Sequence, residues 1–235
     1  MKFKRFYTAF QRYNRSKGFG IHSPFAFNFV LKVLRERCPY YAYDIIHASR
    51  WEVSHLASKK EQHNIISFKY AKMIFRITSH FNPQSILQIG TCHGIISKSL
   101  LSVSSTSNLY TYFGIGNQCY TYDSITADVA SRISKYYDIE QAINAYYNNL
   151  DTDNQPFIVI NQIDKNAKLI VETAAKAINN EGVVIVCNIN HNQMIKDSWN
   201  ELKSIMSHGM SFSNEKIGII VGYKHLPLQH FTLWF

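Results

Sequence analysis

From residue 85 onward the chain alternates short apolar runs with stretches of helical periodicity, and that alternation restricts the fold more than any other feature. Residues 85–90 (Ser-Ile-Leu-Gln-Ile-Gly), 109–113, 157–161 and 183–188 are short, rich in β-branched or aromatic side chains and bounded by turn residues, as strands are. Residues 124–133 and 167–178 read as helices. So does a stretch capped by Asn192, with Ile195, Trp199, Leu202 and Met206 on one face. Strands joined through helices pair in parallel, and a parallel sheet needs cover on both faces. The expected fold is therefore α/β, with a mostly parallel sheet between helical layers. The last two runs, 217–223 and 229–234, have no helix between them and are expected to pair antiparallel with each other.

Residues 1–82 read differently, as a helical extension ahead of a main domain at 83–235. Phe3, Phe6, Tyr7, Phe10 and Tyr13 recur at helical spacing with Lys2, Lys4, Arg5 and Arg12 between them, an amphipathic aromatic helix. That stripe suits packing on the domain or on a second subunit. Docking on a membrane surface or nucleic acid are the alternatives. After Gly18-Phe19-Gly20, Ser23 followed by Pro24 looks like an N-cap with proline at the first helical position, opening a helix to about residue 37. Residues 40–62 show no clean period and are expected to be loop with short helical turns. A helix is predicted over 64–81, stopped by Asn82-Pro83.

With 235 residues and 46% hydrophobic content, one α/β domain plus an extension can bury a core. Four cysteines in no C-x-x-C spacing read as reduced thiols, and no apolar run reaches membrane-spanning length, so a soluble cytoplasmic protein is expected. The net charge of +9 is concentrated: eight cations, from Lys2 to Arg35, precede the first acid, Glu36, leaving 17 basic against 16 acidic residues elsewhere. Attraction to phosphates or an anionic surface belongs to the N-terminal arm. Nucleic acid is one partner such an arm offers, although the aromatics form no recognisable RNA-binding motif.

A ligand in an open α/β sheet lies beyond the carboxyl ends of the strands, where strand order reverses. Three loops belong there. Gly90-Thr91-Cys92-His93-Gly94 puts two glycines between a strand and a helix, where backbone can approach a ligand. Tyr112-Phe113-Gly114 ends the second strand, where nucleoside-binding folds usually place a carboxylate for the ribose hydroxyls. Cys187-Asn188-Ile189-Asn190-His191-Asn192 is a polar cluster at the end of a later strand. His191 is the candidate general base, with a plain role flanking the next helix as the alternative. His93 reads mainly as loop packing, and His22 as a tie within the extension.

The segments Lys17-Gly-Phe-Gly-Ile-His-Ser-Pro-Phe-Ala-Phe27, Ser85-Ile-Leu-Gln-Ile-Gly-Thr-Cys-His-Gly94, residues 183–199, residues 218–224 and Gln229-His-Phe-Thr-Leu-Trp234 together resemble a group of class I S-adenosylmethionine-dependent methyltransferases of Bacteroidetes-type bacteria, laid out like small-molecule O-methyltransferases. The resemblance implies a Rossmann-like, seven-stranded sheet with an antiparallel C-terminal strand. It implies S-adenosylmethionine over the glycine loop, a small-molecule acceptor, and an N-terminal helical cap on the acceptor side. An aromatic face on that extension is compatible with a homodimer and equally with a capped monomer. The donor-binding candidates carried over are Gln88, Gly90, Thr91, Gly94, Phe113, Asn161 and Asn188.

Four of the family's acidic positions are neutral in this chain. Gln88 stands where the first loop's glutamate falls, Phe113 where the second strand's acid falls, Asn161 after Ile160 at the fourth strand, and Asn188 within the later polar cluster. A ribose diol held by a carboxylate gains charge-assisted hydrogen bonds. Their loss is expected to weaken donor binding by roughly 2 to 4 kcal/mol. A catalytic magnesium is rejected, since Mg²⁺ takes carboxylate oxygens and this cluster supplies amides, a thiol and an imidazole. The alternative to an active enzyme is an inactive binding or scaffold protein on the same fold. A Gly94→Val substitution is expected to block the loop's approach to the donor without unfolding the chain.

Overall fold

The structure, a computed structural model, describes residues 13, 16–57, 65–91, 93–114 and 120–235. Apart from Tyr13, the aromatic helix expected over residues 3–13 lies outside the described residues. In chain order the elements are α1 (Pro24–Phe29), prolonged by one π-helical turn (Val30–Leu34), α2 (Ala42–Leu56), α3 (Phe68–Phe81), β1 (Ser85–Ile89), α4 (Ile95–Leu101) and β2 (Asn108–Tyr112). There follow α5 (Tyr120–Ile125) with a 3-10 turn (Ala127–Arg132), β3 (Ile133–Tyr136), α6 (Ile139–Asn148), β4 (Phe157–Ile160), α7 (Ala167–Asn179), β5 (Val183–Cys187), α8 (Gln193–Ile205), β6 (Met210–Ser213), β7 (Ile217–Val221) and β8 (Gln229–Thr232).

The strands form one sheet in the order β3-β2-β1-β4-β5-β7-β6-β8. β7 runs antiparallel to β5 and β6, and every other pairing is parallel. The α/β architecture is thus the one the alternation predicts. One expected detail is corrected: 217–223 and 229–234 do not pair with each other. Both edges of β7 are taken, by β5 and β6, so β8 joins the far side of β6 in parallel and makes an eighth strand. Strand order reverses between β1 and β4, which places the switch point at their carboxyl ends.

Consecutive residues of a strand face opposite sides of a sheet, and here they enter two separate cores. Ile86, Val159, Ile185 and Ile219 pack under α1, α3 and α4 with Phe29, Ile74, Ile77 and Leu100. Their neighbours Leu87, Ile158, Val184 and Ile220 pack under α6, α7 and α8 with Tyr146, Ile170, Trp199 and Leu202. Burial on both faces explains why the central strands are continuously apolar. α1 begins as predicted, with Ser23 Oγ accepting from Ala26 N at 3.3 Å and Pro24 at the first turn. Arg76 of α3 then ties down the π turn, donating to the carbonyls of Val33 (2.7 Å) and Leu34 (2.9 Å) and to the hydroxyl of Tyr43 (3.1 Å).

Four elements had no clear signal in the sequence. Residues 42–56 form a 15-residue helix rather than a loop, burying Ala42, Ile46, Ser49 and Val53 on one side. Its exposed side carries Tyr41, Ile45, Trp51 and Leu56, and apolar residues on both faces blur the period. β3 is a short edge strand with half-exposed, partly polar residues. The helix expected through residue 133 accordingly ends in α5 and the 3-10 turn. α6, capped by Asp138, and the Ser-rich β6 complete the set. Cys38 and Cys187 are not in disulfides. Among the described residues no helix is long and apolar enough to cross a membrane.

Candidate functional site

A pocket of about 200 Å³ opens beyond the carboxyl ends of β1, β2, β4 and β5, at the switch point. Gly90, Phe113, Asn161, Asn188 and His191 all line it, so five of the eight residues singled out by sequence meet in one place. Gln88, Thr91 and Gly94 do not line it, and each has a structural explanation.

On the β1–β2 side Gly90, Tyr112, Phe113 and Gly114 reach the pocket wall, while the polar groups behind them are closed off by the protein's own contacts. Gln88 is fully buried; its Oε1 accepts from Ser97 Oγ at 2.7 Å, and its Nε2 donates to the Gly90 carbonyl at 3.2 Å. Tyr122 OH donates in turn to Ser97 Oγ at 3.0 Å, which extends the chain of hydrogen bonds across α4 and α5. Burial pushes the Tyr122 phenol up to about 12. Phe113 is buried in an edge-to-face contact with Tyr122, centroids 4.8 Å apart, and its ring also meets Tyr137 at 5.5 Å.

The glycines answer to the same packing. Gly90 has φ +78°, and a Cβ there would lie 2.6 Å from Cβ of Gln162 and 2.8 Å from its backbone N. Gly94, the residue before α4, has φ +82°, and its Cβ would meet Thr126 and Tyr122 at 3.1–3.3 Å. The expectation for Gly94→Val therefore needs correction: the substitution presses on α5, so it reports on packing rather than on access to a ligand.

The β4–β5 half is open. Asn161 is buried, with its Oδ1 accepting from Asn188 Nδ2 at 3.3 Å. Asn188 sits in the left-handed region at φ +57°, a turn that presents its amide to the pocket. His191 is exposed at the mouth, its backbone N donating to the Asn188 carbonyl at 2.8 Å. The neighbouring Asn192 caps α8, its Oδ1 accepting from Ile195 N at 2.8 Å. His191 thus both flanks that cap and lines the pocket.

Asp164 is the group that the sequence reading missed. It is the pocket's only lining carboxylate among the described residues, and no Lys or Arg lines the pocket with it. Its Oδ2 accepts from Tyr112 OH at 2.6 Å and its Oδ1 from Asn166 N at 2.9 Å. Burial, and then the hydrogen bond to Asp164, pushes the Tyr112 phenol up to about 12, so it stays a proton donor at neutral pH. The signal was an acid four residues past the end of the fourth strand, in Asn161-Gln-Ile-Asp164, followed by an Asx turn into α7.

A recess of about 10 Å³, roughly the room of one water, lies behind the glycine loop among Thr91, His93, Asn161, Ile65 and Ile66. Thr91 Oγ1 and Asn161 Nδ2 are buried there without a hydrogen-bond partner among the described residues. His93 Nδ1 lies 3.0 Å from Thr121 Oγ1, a contact that ties the loop to α5. Among the described residues no three His, Cys, Asp or Glu side chains group as a metal site.

No family model matches the sequence, and no curated protein matches it. Solved structures do. The O-methyltransferase from Bacillus cereus in complex with SAH is 15% identical, covering 83% of this chain and 96% of its own, with a TM-score of 0.54. The SAH-bound methyltransferase PaMTH1 of Podospora anserina is 11% identical, covering 86% and 96%, with a TM-score of 0.56. The O-methyltransferase TomG of Streptomyces achromogenes, in complex with SAM, is 14% identical, covering 78% and 90%, with a TM-score of 0.52. At these identities the likeness is one of architecture: the chain has the Rossmann-like methyltransferase fold.

Proposed function

We propose that the switch-point pocket binds S-adenosylmethionine and that the chain transfers a methyl group to a small-molecule acceptor, with donor affinity weakened. The observation that carries this reading is Asp164: a carboxylate at the pocket, held by Tyr112 and Asn166, where the β2-end acid is replaced by Phe113. Each carboxylate oxygen keeps a lone pair for a further hydrogen bond. Among the described residues the lining holds one anion and no lysine or arginine, which suits a ligand that carries positive charge and hydroxyls.

The donor, when bound, supplies an electrophilic methyl group. This chain supplies the rest. Asp164, Asn161 and Asn188 hold and orient by hydrogen bonds, and His191 is placed to take an acceptor's proton. Gln88 and Gly94 shape the glycine loop from behind and do not reach the ligand. The pocket is smaller than the usual 300–1,000 Å³ of small-molecule sites, which favours weak or partial retention of the donor. Residues 1–82 are proposed to cap the acceptor side, supported by Ile65 and Ile66, which face Thr91 across the recess.

A second reading, a methyltransferase-fold binding module without turnover, is favoured by the Gln88–Ser97–Tyr122 chain and by the buried Phe113. Calorimetric titration with S-adenosylmethionine and its demethylated product, up to millimolar concentrations, separates the two. Saturable binding that weakens in Asp164→Asn supports the first. Absence of binding by a folded chain refutes it and leaves the second.

A further inference from the structure

We propose that the face formed by the turn at residues 16–20, the start of α1 and the segment after β8 is a docking surface for an anionic membrane, independent of what the switch-point pocket binds. The three segments meet at one point. Ser16 Oγ accepts from Trp234 N at 2.6 Å, and the Ser16 carbonyl accepts from Arg35 at 2.7 Å. The ring of Phe27 lies against Gly18, so close that a Cβ on the glycine would fall 2.4 Å from the ring edge. The Lys17 ammonium stands 4.3 Å from the centre of the Tyr13 ring.

Around this point four large aromatic side chains face solvent: Phe19 is 67% exposed, Trp234 58%, Tyr13 46% and Phe27 42%. Exposed apolar residues scattered singly need no explanation, but a cluster does. Trp234, Phe27 and Tyr13 are each tied to the turn at residues 16–20, through Ser16, Gly18 and Lys17 in that order, and Phe19 stands on the turn itself; Lys17 and Lys32 are exposed. No acid opposes them from the N-terminal side, since the first is Glu36, whose Oε1 accepts from the backbone amides of Arg37 and Cys38. Upstream the sequence adds Lys2, Lys4, Arg5, Arg12 and Arg15.

Aromatic rings set among cations without acids complement the headgroup region of an anionic bilayer. Rings enter the interface and lysines reach the lipid phosphates. A single-stranded nucleic acid is gripped in a charged groove that tracks its backbone. Here the rings stand on a turn and on the outward face of a helix, a shape that a bilayer accommodates better.

The test is sedimentation of the full chain with vesicles of phosphatidylcholine alone and with about a third phosphatidylserine, in about 0.1 M and about 0.5 M salt. Binding should rise about tenfold or more with phosphatidylserine and fall steeply at the higher salt. A Lys17→Glu/Lys32→Glu variant should lose most of it, and Phe19→Ser/Trp234→Ser should weaken it roughly tenfold. All four side chains are exposed, so both variants should melt as the parent chain does. Equal binding to both vesicle types, no binding, or unchanged binding by both folded variants would each overturn the proposal. Retention on an RNA oligonucleotide without vesicle binding would overturn it in favour of nucleic acid.

Discussion

The two halves of the switch point are built from the same kinds of element and end up with opposite chemistry. On the β1–β2 side the polar groups behind the loop are taken up within the protein: Gln88 by Ser97 and Gly90, and Ser97 by Tyr122, with Phe113 packed against Tyr122. On the β4–β5 side Asn161, Asp164, Asn188 and His191 stay in contact with the pocket. Among the described residues the pocket's one carboxylate therefore follows the fourth strand and not the second.

The sharpest way to break that contrast is to force a side chain into the β1–β2 side. Gly90→Ala sets a methyl group against Gln162 at positive φ and should lower stability by about 3 kcal/mol or more in chemical denaturation. A variant as stable as the parent would mean that this side is not closed off behind the loop. The Tyr122 phenol comes next. Its folded pKa lies above the ordinary tyrosine value, so its contribution is complete below pH 10 and disappears as pH rises through about 12. That should cost roughly 2 to 3 kcal/mol, and Tyr122→Phe should flatten this part of the alkaline stability curve. Ser97→Ala leaves buried Gln88 Oε1 and Tyr122 OH without their partner and should cost about 1 to 3 kcal/mol.

On the open half the same measurements should change little and ligand binding should change instead. Asp164→Asn keeps an acceptor for Tyr112 but removes the charge, so affinity for S-adenosylhomocysteine should fall about tenfold with little change in melting. His191→Ala, at an exposed position, should shift stability by less than about 0.5 kcal/mol. Any larger loss would show His191 to be part of the α8 cap rather than of the site.

The same asymmetry explains what the sequence made legible. The central strands announce themselves because burial on both faces leaves no room for polar residues, as Val183–Cys187 illustrates. The Ser23-Pro24 start and the Asn192 cap are local hydrogen-bonding signals, written within three residues. α2 was hidden because its outer face carries Ile45, Trp51 and Leu56, and β3 because an edge strand need not be apolar. At the site, the strand-end rule and the family resemblance together pointed to five residues that line the pocket, but not to which glycine or glutamine faces inward. Gln88 resembles a ligand-binding amide until Ser97, nine residues away, is known to lie against it. Asp164 escaped notice because its importance comes from Tyr112, a partner 52 residues distant.

One contact also bears on how the chain is made. The hydroxyl of Ser16 closes on the amide of Trp234, a separation of 218 residues, while Asn214 holds the carbonyl of Phe235 at 2.9 Å. During synthesis at roughly 5 to 20 residues per second, the turn ahead of α1 waits about ten to forty seconds for that partner. Until then the aromatic face beside it has no fixed shape to present.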